Sequence, residues 1–195
     1  MSTLLVSTGV IALAEIGDKT QLLAFLLASR FKKPVPIVLG ILVATLLNHG
    51  LAGVVGVWIT QHVSADLLRW VLGASFLLMA VWTLIPDKLD DGEIQIATRL
   101  GVFAATLVTF FLAEMGDKTQ IATVAMAAHY ADVWMVVLGT TLGMLIADVP
   151  AVFAGQSLAN KIPVKWVHRV AAGVFLALAL VSFFGSSGGI LKQFN

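Results

Sequence analysis

The residues able to do chemistry occur twice and in one order. Ala14 to Gln21 reads AEIGDKTQ and Ala113 to Gln120 reads AEMGDKTQ, with seven of eight positions agreeing at a constant offset of 99 residues. On a continuous α-helix, side chains three residues apart leave nearly the same face. Glu15 and Asp18 then form one acidic ledge, Glu114 and Asp117 a second, and Gln21 and Gln120 extend them. Gly17 and Gly116 leave room for a neighbouring helix, or for local unwinding that offers backbone carbonyls. Where the two copies meet, four carboxylates and two amide oxygens converge on an oxygen-only site, suited to Ca²⁺, Mg²⁺ or Mn²⁺. Lys19 with Thr20 and Lys118 with Thr119 are the motif's basic and hydroxyl neighbours. A plainer reading pairs Glu15 with Lys19 and Glu114 with Lys118 at i,i+4 as structural ion pairs, but it leaves Asp18 and Asp117 unpaired.

Outside the motifs the signals are thinner. Asp148 is a further candidate cation or proton group, and equally readable as a carboxyl bonded to a neighbouring hydroxyl or lysine. Its counterpart at the same offset is His49, next to Asn48. Pro150 removes a helical hydrogen bond and frees a carbonyl nearby. With no cysteine, and with His49, His62, His129 and His168 scattered without ligand spacing, a soft-metal site has no basis. The histidines read as interfacial or packing residues, as do most methionines, Met115 excepted for its place inside a motif.

The elements that must position these groups follow from composition. The chain of 195 residues is 59% hydrophobic and 12% charged, with mean hydropathy +0.97 and net charge +1. A soluble domain carries about 25% charged residues, so lipid is the expected solvent. Near-neutral charge gives no case for a nucleic-acid partner. A bilayer core about 30 Å thick takes roughly 20 helical residues per crossing, and six segments qualify: Leu4–Ser29, Val35–Gln61, Leu67–Ile85, Leu100–His129, Val133–Leu158 and Trp166–Gly185. Trp58, Trp70, Trp82, Trp134 and Trp166 fall near their ends, as an interfacial belt requires. Ala12 to Ala14 imitate a signal-cleavage site, but no basic residue precedes the apolar run, so residues 1–29 are expected in the mature protein.

The repeat also extends past the motif. Val38, Leu39 and Gly40 match Val137, Leu138 and Gly139, and with one inserted residue Arg69 matches Arg169. The expected fold is an all-α polytopic membrane protein of six transmembrane helices. They form two three-helix repeats, 1–86 and 100–195, joined by an acidic cytoplasmic connector at 87–99. An odd number of helices per half inserts the halves in opposite directions. Of the twelve Lys and Arg, eight lie in one set of loops and two, Arg69 and Lys192, in the other. That bias puts the connector in the cytoplasm and both termini outside.

A doubled ExGDKT in a six-helix chain of two similar halves resembles the GDT1 family of Mn²⁺ and Ca²⁺ transporters, over essentially the whole chain. The resemblance implies cation/proton antiport without a resident cofactor or enzymatic activity. It also implies a bacterial cytoplasmic (inner) membrane location, since no long N-terminal extension precedes the first helix. Its acidic motif residues carry over to Glu15, Asp18, Glu114 and Asp117. Mn²⁺ is the expected cargo, with Ca²⁺ the alternative; the partners are the bilayer and the divalent cation, and a homodimer is left open. A small-solute exporter binding an ammonium group and a passive channel are the rival transport readings. An intramembrane acid protease fits poorly, because Glu15 and Glu114 stand where GxGD proteases have glycine.

Overall fold

The computed structural model describes residues 2–85, 101–130, 132–154 and 164–184. Within them lie eight helices: α1 Ser2–Glu15, α2 Lys19–Phe31, α3 Pro34–His62, α4 Ala65–Trp82, α5 Val102–Glu114, α6 Lys118–Tyr130, α7 Val133–Ala154 and α8 Val164–Phe184. Four of them, α3, α4, α7 and α8, are long and apolar enough to cross a bilayer. The others come as two short pairs in series, α1–α2 and α5–α6, of 13 or 14 residues each. At 1.5 Å per residue each is about 20 Å long, short of the hydrocarbon thickness.

The single helices expected over Leu4–Ser29 and Leu100–His129 are thus each broken in two, and the break falls on the motif. The acidic connector 87–99 lies outside the described residues. So do Lys88, Arg99, Lys161 and Lys192 of the loop-charge comparison, and Leu100, Leu158 and Gly185 at predicted segment ends.

Packing crosses between the halves. Helix α1 lies along α7 and α5 along α3, while α2 touches α7, α6 touches α3, and α8 packs on α4. Small residues make these approaches close. A Cβ placed on Gly139 would stand 2.7 Å from the Leu4 carbonyl oxygen, and one on Gly143 2.6 Å from that of Thr8. At Gly40, the repeat equivalent of Gly139, a Cβ would stand 2.7 Å from Thr106 Cβ. Helices α3 and α7 therefore present glycine where the other half's short helix crosses them, as membrane helices do when backbones must meet.

The distribution of polarity is that of a protein solvated by lipid. Leu47, Leu51, Val54 and Trp58 of α3 and Leu138, Ile146 and Phe153 of α7 face outward, whereas Glu15, Asp18, Asn48, His49, Glu114, Asp117, Lys118 and Asp148 are buried. Apolar clusters flank this ionisable layer, one around Val10, Phe76, Met126 and Phe175, the other around Leu23, Ile41 and Phe110.

Candidate cation site

The two motifs break their helices by the same local device. Helix α5 ends at Glu114, Met115 takes φ −65° and ψ 121°, and Gly116 takes φ +76°. The Asp117 N–H then donates to the Glu114 carbonyl at 3.2 Å. These are the dihedrals and the i to i+3 bond of a type II turn, whose third position requires positive φ and hence glycine. In the first copy Gly17 has φ +85° and the Asp18 N–H donates to the Glu15 carbonyl at 3.0 Å. The glutamines brace the turns: Gln21 Oε1 accepts the Gly17 N–H at 2.9 Å and Gln120 Oε1 accepts the Gly116 N–H at 2.8 Å. Their amide nitrogens reach across to the other half, Gln21 to the Ala147 carbonyl at 2.9 Å and Gln120 to Asn48 Oδ1 at 3.0 Å.

Because the helix breaks, Glu15 and Asp18 do not share a helical face. Each glutamate is the last residue of its helix and each aspartate immediately precedes the next one. Thr20 Oγ1 donates to Glu15 Oε2 at 2.5 Å and Thr119 Oγ1 donates to Glu114 Oε1, so each carboxylate is held by the hydroxyl five residues on. Glu15 Oε1 and Glu114 Oε2 are buried and accept no hydrogen bond among the described residues. Glu15, Glu114 and Asp117 each direct a carboxylate oxygen into one region, these atoms lying within 4.8 Å of one another. Opposite ligands about 2.2 to 2.4 Å from one ion stand roughly 4.4 to 4.8 Å apart, so the three fit a single coordination shell.

Each lysine forms an ion pair with the aspartate of the other half. Lys118 Nζ lies 2.8 Å from Asp18 Oδ1, with both side chains sealed from the surface, and Lys19 Nζ lies 3.6 Å from Asp117 Oδ1 with its own side chain 19% exposed. Of the four motif carboxylates, three share the oxygen cluster and Asp18 is held against Lys118. The i,i+4 ion pairs considered from sequence are replaced by this exchange, because the turn carries each lysine past its own glutamate.

Asn48 spans two neighbours, donating through Nδ2 to the Phe111 carbonyl at 3.0 Å while accepting from Gln120. Asp148 is fully buried, neither of its oxygens has a hydrogen-bond partner among the described residues, and it lies within electrostatic reach of Glu15 and Glu114. Two histidines that spacing gave no reason to single out sit beside the motifs. His168 Nε2 donates to the Ile16 carbonyl of the first turn at 2.9 Å. His49 Nε2 lies 3.9 Å from Glu114 Oε1. The repeat offset was the only signal for His49, since it aligned that residue with Asp148.

Paired broken helices with carboxylates from both at one buried point, inside an apolar exterior, define a membrane carrier of divalent cations. A profile described as divalent cation/proton antiporter GDT1 matches residues 3–91 and 102–189. The chain is 55% identical over 186 residues to a Vibrio cholerae protein named "Putative manganese exporter", covering 94% of this chain and 92% of that one. It is 32% identical to "GDT1-like protein 4" of Oryza sativa (91% of this chain, 72% of the relative) and 29% identical to a GDT1-like protein of Synechocystis (89% and 93%). No solved structure matches. The chain belongs to the GDT1 family, and it is a transporter of the membrane.

Proposed function

We propose that this chain exports Mn²⁺ from the cytoplasm in exchange for protons, through one site that Glu15, Glu114 and Asp117 line and that Asp18 joins in another conformation. Ca²⁺ is the alternative cargo for the same fold. The observation that carries the reading is the convergence of three buried carboxylates, from both motifs, within the span of one ion's shell. The name of the Vibrio relative supports the choice of metal, and the family description supports the proton as counter-ion.

In this reading residues 1–86 and 100–195 are inverted three-helix repeats, each short pair counting as one interrupted crossing. The connector 87–99 is cytoplasmic, both termini are outside, and the membrane is the bacterial cytoplasmic one. Buried carboxylates so close together need compensating positive charge, which an ion or protons supply in turn. Metal and proton then compete for the same oxygens. Rocking of one half against the other exposes the site to each side alternately and turns competition into exchange.

Moving a divalent ion outward against 100 mV costs about 4.6 kcal/mol, from about 2.3 per charge; two entering protons cancel that electrical cost. Gln21, Gln120, Gly17 and Gly116 hold the turns, Thr20 and Thr119 aim the glutamates, and the two Lys–Asp pairs keep the site's charge tolerable. Asn48 and Asp148 form its outer wall.

The test is Mn²⁺/H⁺ exchange in proteoliposomes with an imposed pH gradient. Glu15→Gln and Glu114→Gln abolish exchange while inserting normally. Exchange at the wild-type rate in both would remove the site assignment.

A further inference from the structure

His49 offers the one imidazole directed at the carboxylate cluster among the described residues. It is fully buried in the middle of α3, neither ring nitrogen makes a hydrogen bond among the described residues, and Nε2 stands 3.9 Å from Glu114 Oε1. A buried imidazole without a hydrogen bond is costly, and the polar group that faces it here is the Glu114 carboxylate. Two donors about 2.2 Å from one ion are roughly 3.1 Å apart when adjacent and 4.4 Å apart when opposite, so Nε2 and Glu114 Oε1 can hold one ion between them, with His49 at the edge of the three-carboxylate group and not inside it. The repeat sharpens the point. At the equivalent position, 99 residues on, stands Asp148, also fully buried and also without a hydrogen-bond partner. The turns are near-copies, but this position supplies a nitrogen in one half and oxygen in the other.

We infer that His49 Nε2 is a ligand of the transported ion and the residue that selects a first-row transition-metal dication over Ca²⁺ and Mg²⁺. This inference rests on the cation-carrier reading above and narrows its cargo. Ca²⁺ takes six to eight oxygens in a loose shell, and Mg²⁺ keeps several waters, whereas imidazole nitrogen binds transition metals preferentially. A site in which one imidazole meets the ion beside Glu114 rewards an ion that accepts nitrogen. Replacing that nitrogen by oxygen leaves a site Ca²⁺ accepts as readily.

The experiment is pulsed EPR of Mn²⁺ bound to the purified full-length protein, joined to Mn²⁺/Ca²⁺ competition in the same detergent. Wild type shows ¹⁴N modulation of imidazole type, replaced by the ¹⁵N pattern after histidine labelling. It persists in His62→Gln, at the exposed end of α3, and is lost in His49→Gln. The Mn²⁺ over Ca²⁺ preference falls at least tenfold in His49→Gln, with Ca²⁺ binding retained. Bound Mn²⁺ without nitrogen modulation in the wild type overturns the inference without any variant having to fold, and so does an unchanged preference in His49→Gln. Glu114→Gln separates the two levels: if it abolishes Mn²⁺ binding while wild type lacks nitrogen modulation, only the histidine assignment fails. If Glu114→Gln leaves the bound signal intact, the carboxylate site fails with it.

Discussion

The two lysine–aspartate pairs differ enough that their removal should be distinguishable. Lys118 and Asp18 are 2.8 Å apart with side chains 1% and 0% exposed, whereas Lys19 and Asp117 are 3.6 Å apart with Lys19 19% exposed. Breaking a buried pair from one side strands a charge and costs about 3 to 5 kcal/mol; a longer, partly solvated pair is worth about 1 kcal/mol. Lys118→Met is therefore expected to destabilise the protein by roughly 3 kcal/mol and Lys19→Met by about 1 kcal/mol. Asp18→Asn added to Lys118→Met should recover most of the loss, because the opposing charge goes with it, so the two changes are far from additive. The assay is thermal unfolding of the detergent-purified protein in a complete double-mutant cycle for each pair, at low and high salt, where the Lys19 pair alone should weaken with salt. Equal losses for the two lysines, or no recovery in the Lys118–Asp18 double variant, would refute the crosswise pairing and its unequal burial.

Three further outcomes follow from the turns and the crossings. Gly116→Ala places a Cβ in open space but at φ +76°, so its cost of about 1 kcal/mol is purely conformational, whereas Gly9→Ala, in the body of α1 with nothing nearby, should be neutral or slightly stabilising in the same melt. Gly143→Val drives a side chain onto the Thr8 carbonyl of α1 and should cost more than about 3 kcal/mol or prevent folding, read as loss of a monodisperse peak on size exclusion. Thr119→Val removes the hydroxyl that holds Glu114 Oε1; Mn²⁺ exchange should slow at least tenfold, and Thr119→Ser should restore it.

Much of this architecture is legible in residue order alone, and the remainder has identifiable physical causes. The doubled motif, the apolar segments and the offset of 99 come directly from the sequence, and they locate the carboxylates and their neighbours. The helix breaks are only half legible. A glycine inside an apolar helical pattern is tolerated in membrane helices, so Gly17 and Gly116 allow either a close crossing or unwinding. What decides it is the set of bonds from Gln21 and Gln120 back to the glycine N–H groups, which becomes visible only once the turn is built. The exchange of lysines between halves is a tertiary event. Spacing of i,i+4 points to the wrong carboxylate because it presumes a continuous helix. His49 is hidden for the opposite reason: its carboxylate neighbour Glu114 lies on another helix, 65 positions away in sequence, and no local spacing carries such a contact.

The breaks also divide the four acidic groups into two roles. Glu15 and Glu114 are the final residues of α1 and α5, where the last carbonyls already concentrate negative charge, while Asp18 and Asp117 immediately precede α2 and α6, whose first N–H groups favour an anion. Asp18, placed there, is at rest with Lys118, while Asp117 also turns an oxygen into the carboxylate cluster. A glutamate at the opposite helix end has one oxygen held by a threonine and the other without a hydrogen-bond partner among the described residues, so in the proposed reading it is at rest when a cation arrives. Substitution should separate the two. Glu114→Gln removes an unfavourable charge and should leave thermal stability equal or raised by up to about 1 kcal/mol while exchange disappears. Asp18→Asn removes a favourable one opposite the buried Lys118 and should lower stability by about 3 kcal/mol. Melting curves and proteoliposome exchange measured side by side decide between the roles: if Glu114→Gln proves the more damaging to stability, the helix-end argument is wrong and the glutamates are structural.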